Sequence, residues 1–243
     1  MLAGMDVPPL VHHFADAVRE VTGVRAFYAG GSIGSGDYRP GISDLDLVAV
    51  LDRPLTRAAR TRLTVVHAAF PEPKLHCAYV AAGELDDMAR THVTWAHEQL
   101  FRRPLSGIAR AELHQFGVVV HGPPPGALIP SLSDDELRGA ARTELAVYWP
   151  GALRHPRRWR TDLHVDLGLT TVSRADVTIA DARLITKREA IDRLPSLGVP
   201  EELADEIRRR RAGEPVEHTE AQLKDRAVLV RGIMRRELDR LLG

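Results

Sequence analysis

Apolar positions along this chain follow two successive patterns. The first alternates short apolar runs with helically spaced ones. Leu10, Phe14 and Val18 recur at i+4, with Val11 and Ala15 beside them. Asp6 and Pro8-Pro9 precede that stretch and Gly23 follows it, which predicts an amphipathic helix with prolines in its first turn. Val24 to Ala29 predicts a strand, cut short by Gly30-Gly31-Ser32. A loop rich in Gly34, Gly36, Pro40 and Gly41 leads to a second strand, Leu45 to Leu51. That strand is apolar except for Asp46, as expected of a strand covered on both faces. Leu55 to Phe70 has helical spacing at Leu63, Val66 and Phe70. Leu75 to Val80 predicts a third strand, and Gly117 to His121 a fourth. Together these make a small α/β domain over residues 1–122.

Pro123-Pro124-Pro125-Gly126 then marks a boundary, read as a hinge. Beyond it every signal is helical. Ser133 with Glu136, Thr186 with Glu189 and Thr219 with Gln222 each form a capping box, in which side chain and backbone satisfy each other at a helix start. The last box opens a helix with Leu223, Val230, Met234, Leu238 and Leu241 on its apolar side. The expectation is a helical domain over residues 131–243.

Composition narrows the function classes. The 243 residues are 44% hydrophobic, enough for a core. Lys+Arg and Asp+Glu are 33 each, so the basic excess of a general nucleic-acid binder is missing. A single cysteine, Cys77, excludes an intramolecular disulfide and a cysteine-built zinc site. The start, Met1 to Asp6, has neither a basic segment nor a long apolar one, and purely apolar runs such as Leu47 to Leu51 fall far short of a membrane span. A cytoplasmic protein without membrane contact is expected.

The chemistry concentrates between the first two strands. The run from Gly30 to Asp46 opens with glycines that let a backbone turn tightly against a ligand. A turn into a short helix exposes N–H groups suited to phosphate oxygens, and Ser32 adds a hydroxyl. Asp44 and Asp46 follow at i, i+2, so alternation puts both carboxylates on one face while Leu45 and Leu47 point the other way. Two converging carboxylates repel unless a cation or proton intervenes, and they suit Mg²⁺ completed by phosphate and water. Asp-x-Asp is also common in turns and caps. The functional reading gains from Asp46 heading an apolar run, where a buried unpaired charge is costly.

Gly31-Ser32, Gly36, Pro40 and Ser43-Asp44-Leu45-Asp46 resemble the signature of the DNA polymerase β-type nucleotidyltransferase superfamily. With a helical continuation, the chain is similar to the streptomycin/spectinomycin adenylyltransferases of aminoglycosides. The resemblance implies an α/β (α+β) nucleotidyltransferase domain with a small mixed sheet, followed by an all-α helical bundle. It also implies ATP as co-substrate with Mg²⁺. Asp44 and Asp46 would be the metal ligands, and Gly31, Ser32 and Ser43 would hold the triphosphate. Arg174 and Lys187 are similar to the family's cations that clamp the triphosphate across the cleft; both also read as ordinary surface charges. AMP would move to a hydroxyl of a small molecule, with an aminoglycoside favoured by the resemblance, and a monomer or homodimer is expected.

One position departs from that family. Its third carboxylate, the base on the next strand, is matched here by His76 in Lys74 to Val80. A neutral histidine can accept a proton, ligate a metal or simply pack in a polar cleft. Glu84, Asp86 and Asp87 stand in the following loop as substitutes. The departure keeps two alternatives open: transfer to another small molecule, a protein or RNA, and a nucleotide-binding sensor or antitoxin without catalysis. Asp162 and Asp166 lie at i, i+4 on a predicted helix, either a solvated face or a cation-binding one. His12-His13 and His92 with His97 lack a metal-ligand pattern. Cys77 reads as an inert core thiol.

Overall fold

A computed structural model describes residues 7–243. The readings placed on Met1 to Asp6 lie outside the described residues. The chain divides into two compact units, the first ending at Leu132 and the second spanning Ser133–Gly243.

The first unit is built on a six-stranded mixed sheet. Helix α1 (Pro9–Val21) begins behind Pro8 and buries Val11, Phe14, Ala15 and Val18. Strand β1 (Val24–Ala29) leads through the one-turn helix α2 (Gly31–Gly34) and a loop to β2 (Leu45–Leu51). Helix α3 (Arg57–Ala69), capped by the Thr56 hydroxyl, carries the chain to β3 (Leu75–Ala81). β2 and β3 are parallel; β1 runs antiparallel to β2. The sequence pattern did not foresee the hairpin β4 (Thr91–Ala96) and β5 (Gln99–Pro104), nor helix α4 (Gly107–Phe116). The fourth expected strand is the edge strand β6 (Val118–His121). The order is β5-β4-β3-β2-β1-β6.

Alternation along β2 divides its side chains between two cores. Leu45, Leu47, Ala49 and Leu51 join Phe14, Val18 and Leu63 beneath α1 and α3. Val48 and Val50 join Ala78, Leu85, Leu113 and Ile129 on the α4 side. Burial on both faces of β2 is therefore as expected. The proline segment is not a free hinge: the Tyr28 hydroxyl donates to the Pro123 carbonyl at 2.8 Å, and Ile129 is buried in the α4-side core. Both contacts hold residues 123–129 in the first unit.

The second unit is helical throughout its regular elements. α5 (Asp134–Leu153), α6 (Asp162–Asp181) and α9 (Glu220–Leu242) are its long helices, with shorter α7 (Lys187–Asp192) and α8 (Glu201–Arg211). All three expected capping boxes form, at Ser133, Thr186 and Thr219. Gly168 leaves room for Trp159, whose ring would lie 2.9 Å from an added Cβ. Among the described residues no helix is long and apolar enough to cross a membrane.

Candidate active site

The site begins where β1 ends. The Gly30 N–H donates to the Asp46 carbonyl at 2.8 Å, fixing the glycine turn against the start of β2. Gly31 adopts φ +53°, and a Cβ there would fall 2.3 Å from Asp46 Oδ2. Only a glycine fits, both for its left-handed backbone and for the carboxylate lying against it. The Ser32 hydroxyl reaches the Asp44 carbonyl at 3.4 Å. Ser43 closes the following loop: its hydroxyl accepts from the Arg39 N–H at 3.1 Å, and its own N–H donates to the Arg39 carbonyl. Gly31, Ser32, Ser43, Asp44 and Asp46 are thus brought together around one loop.

The burial expected of Asp46 from its apolar run is not observed. Asp46 is not buried: half of its side chain is exposed, and Asp44 is exposed too. Asp46 sits at the start of β2, ahead of Val48 and Val50, which enter the α4-side core. Its carboxylate avoids a desolvation cost by lying at the mouth of a cavity.

That cavity, about 170 Å³, is lined by Gly31, Asp46 and His76, together with Arg103 of β5 and Glu112 and Leu113 of α4. Asp46 and His76 are register partners across the parallel β2–β3 pair. His76 Nδ1 lies 3.7 Å from Asp46 Oδ1, with the imidazole mostly covered. His76 also meets the ring of His97 edge-on, at a centroid distance of 5.3 Å. Arg103 and Glu112 escaped the sequence reading because they stand on the elements it missed, and His97 was weighed there only as a metal ligand. The signal that was available for α4 is the i+4 series Leu105, Ala109, Leu113 behind Ser106, whose hydroxyl accepts from the Ala109 N–H.

The loop acids offered as substitutes do not reach this place. His76 stands near the start of β3, whereas Glu84 follows its far end. At about 3.3 Å per residue the strand alone separates them by roughly 17 Å. Glu84 pairs with Arg90 and approaches His92 Nδ1 at 3.9 Å. The Asp87 carbonyl accepts from the buried Arg110 guanidinium, which also donates to the Leu105 carbonyl at 3.1 Å. These groups hold the 82–90 loop onto α4.

Cys77 is buried, and burial pushes its thiol up to about 12, so it stays protonated and inert. In the second unit the Arg174 Nε donates to the Ile185 carbonyl at 3.0 Å, beside the turn that leads to Lys187. Lys187 is exposed at the first position of the capped α7, and the Ser173 hydroxyl donates to the Ala190 carbonyl at 2.9 Å, tying α7 to α6. Asp162 and Asp166 form neither an open face nor a vacant cation site. Arg210 binds Asp166 through Nε at 3.0 Å and Nη2 at 2.6 Å, and Arg226 approaches Asp162 at 2.7 Å.

The donor set suits a hard divalent cation. Among the described residues no cluster of three or more His, Cys, Asp or Glu could hold a metal alone. Asp44 and Asp46 supply carboxylate oxygens only, leaving most positions to phosphate and water, as Mg²⁺ requires. The absence of a Cβ at Gly31 lets Asp46 Oδ2 lie against the turn.

The family model of the nucleotidyltransferase domain matches residues 11–99, from α1 to the β4–β5 turn. The first unit carries a nucleotidyltransferase domain. The chain is thereby an enzyme of the nucleotidyltransferase class, and Asp44, Asp46 and His76 all fall within the matched segment. Among solved structures, the chain is similar to spectinomycin adenyltransferase AAD(9) from Enterococcus faecialis, solved with ATP and spectinomycin. The TM-score is 0.70 at 15% identity, over 93% of this chain and 99% of that one. The nucleotidyltransferase domain and the helical unit after it therefore share the adenyltransferase fold. No curated protein matches the sequence significantly.

Proposed function

We propose that the protein transfers AMP from Mg·ATP to a hydroxyl of a small-molecule acceptor, with an aminoglycoside as the favoured class. The observation that carries this reading is the Asp46 carboxylate seated against Gly31 and in register with His76 at one cavity. Asp44 and Asp46 hold the cation, which when bound neutralises phosphate charge as it develops. Gly31, Ser32 and Ser43 receive the triphosphate. The same proposal gives Arg174 and Lys187 a share in triphosphate binding. The acceptor hydroxyl oxygen attacks the α-phosphorus, the bond from that phosphorus to the bridging oxygen breaks, and pyrophosphate leaves. His76 takes the hydroxyl proton, oriented by Asp46 3.7 Å away. The AAD(9) structure, which holds ATP and spectinomycin, supports the choice of nucleotide and acceptor class by analogy of fold.

Pyrophosphate release from Mg·ATP across a panel of aminoglycosides and other hydroxyl compounds tests the reading, with Asp46→Asn alongside. Release that depends on one acceptor and disappears in the variant is the expected result. ATP binding without release on any acceptor would replace transfer by a nucleotide-sensing role. In the active case Lys187→Ala raises KM for ATP; an unchanged KM removes Lys187 from the triphosphate site.

A further inference from the structure

The turn between β4 and β5 is two residues long, His97 and Glu98, enclosed by the Ala96–Gln99 pair. Both have positive φ, 52° and 58°. That is the geometry of a type I′ hairpin, which favours Asn-Gly because a Cβ in this region crowds the following carbonyl. Among the described residues the other non-glycine with positive φ is Ala182, which ends α6, where left-handed residues are usual. The hairpin tip thus holds a conformation that its own residues disfavour. His97 is exposed, so core burial does not account for its ring. What the turn achieves is a contact. The His97 imidazole meets His76 at 5.3 Å with 65° between the planes, and His76 in turn faces Asp46 at 3.7 Å.

We propose that His97 is a positioning residue: the strained β4–β5 turn sets its ring edge-on against His76 and fixes the orientation of that imidazole toward Asp46. The proposal rests on the reading of His76 as the proton acceptor. An edge-to-face pair selects one relative orientation of two rings. A base that uses one nitrogen needs its ring plane fixed, since small misplacements cost rate steeply. A hairpin optimised for stability alone would carry Asn-Gly and lose the ring.

The test uses the full chain labelled with ¹³C-histidine and the acceptor found by pyrophosphate release. The His76 ring resonances are identified by their loss in His76→Asn. In His97→Ala these resonances shift or broaden, kcat falls about tenfold, and KM for Mg·ATP stays within about twofold. His97→Phe keeps an aromatic edge and restores both the resonances and kcat. Glu98→Gly relieves one strained position, raises Tm by about 2 °C and leaves kcat unchanged. Unmoved His76 resonances in His97→Ala, or an unchanged kcat, would overturn the proposal. A wild-type protein that releases no pyrophosphate with any acceptor, while its His76 resonances still respond to His97→Ala, refutes the transfer reading and with it any role of His97 in that reaction.

Discussion

Two pairs of aspartates stand out in this sequence, and the structure treats them in opposite ways. Asp44 and Asp46 are exposed at the start of β2, beside a glycine turn shaped to leave room for a carboxylate. Asp162 and Asp166 of α6 are engaged by Arg226 of α9 and Arg210 of α8. The first pair lies at the surface, with Asp46 beside His76; the second is held by arginines of neighbouring helices. Acid spacing alone does not separate these cases. What separates them is the surroundings: Gly31 on one side, and arginines on neighbouring helices on the other.

The comparison breaks most sharply at Asp46. Asp46→Asn keeps the shape of the side chain and removes one negative charge at the cavity. If transfer runs as proposed, turnover falls by at least about 100-fold while the melting temperature stays within about 1 °C. Residual activity near wild type would show that this pair is as structural as the arginine-bound one. Asp44→Asn, measured in the same assay, divides the effect between the two carboxylates.

The reverse experiment falls on Arg210, whose side chain is 11% exposed. Arg210→Ala leaves the half-buried Asp166 beside Asp162 without its bidentate partner. Because Asp166 keeps some solvent, the cost is set below that of a fully buried pair, at about 2 kcal/mol, read by urea denaturation. Restoring an apolar match with Asp166→Leu in the Arg210→Met background recovers part of it. A single variant within about 0.5 kcal/mol of wild type would mean that the ion pair contributes no more than a surface one.

How much of this was legible follows from the same contrast. The three capping boxes, the α1 stripe and the apolar β2 run carry their signals in local pattern, and each forms where expected. β4 and β5 do not. His92 and Thr94 bring polar groups into the buried side of β4, β5 exposes Arg102 and Arg103 at the sheet edge, and their turn lacks glycine or asparagine. At the site, the Gly-Ser loop and the Asp-x-Asp spacing were readable. The burial argument for Asp46 was not sound, because an apolar run says nothing of whether its first residue lies under the core or at the edge. Arg103 and Glu112 reach the cavity, and His97 reaches His76, by tertiary packing, which no local spacing encodes.

Gly31 connects the fold to the exposed pair. An alanine there is forced into a left-handed backbone and meets Asp46 Oδ2 at 2.3 Å. Gly31→Ala is expected to cost about 1–2 kcal/mol in stability and to displace the carboxylate, so that Mg·ATP affinity falls with it. Loss of stability without loss of nucleotide affinity would separate the turn from the site.

The smallest effect concerns a second histidine in the same unit. His67 is buried at the end of α3, hydrogen-bonded to the Tyr79 hydroxyl at 2.7 Å and stacked on Trp95 at 4.2 Å. Burial disfavours its charged form and lowers its pKa to about 3. The sign follows from linkage. Between the unfolded value near 6.5 and the folded value near 3, the unfolded chain binds a proton that the folded chain refuses, so stability falls as pH drops through that window. The full slope for one group is about 1.4 kcal/mol per pH unit, an upper bound because local opening relieves the penalty. Above pH 6.5 His67 adds no pH dependence. Denaturant midpoints at pH 7, 6 and 5 for wild type and His67→Phe measure the difference, and the variant should show the flatter profile. Parallel profiles would mean that His67 binds protons alike in the folded and unfolded chains, and that acid sensitivity in this unit arises from other groups.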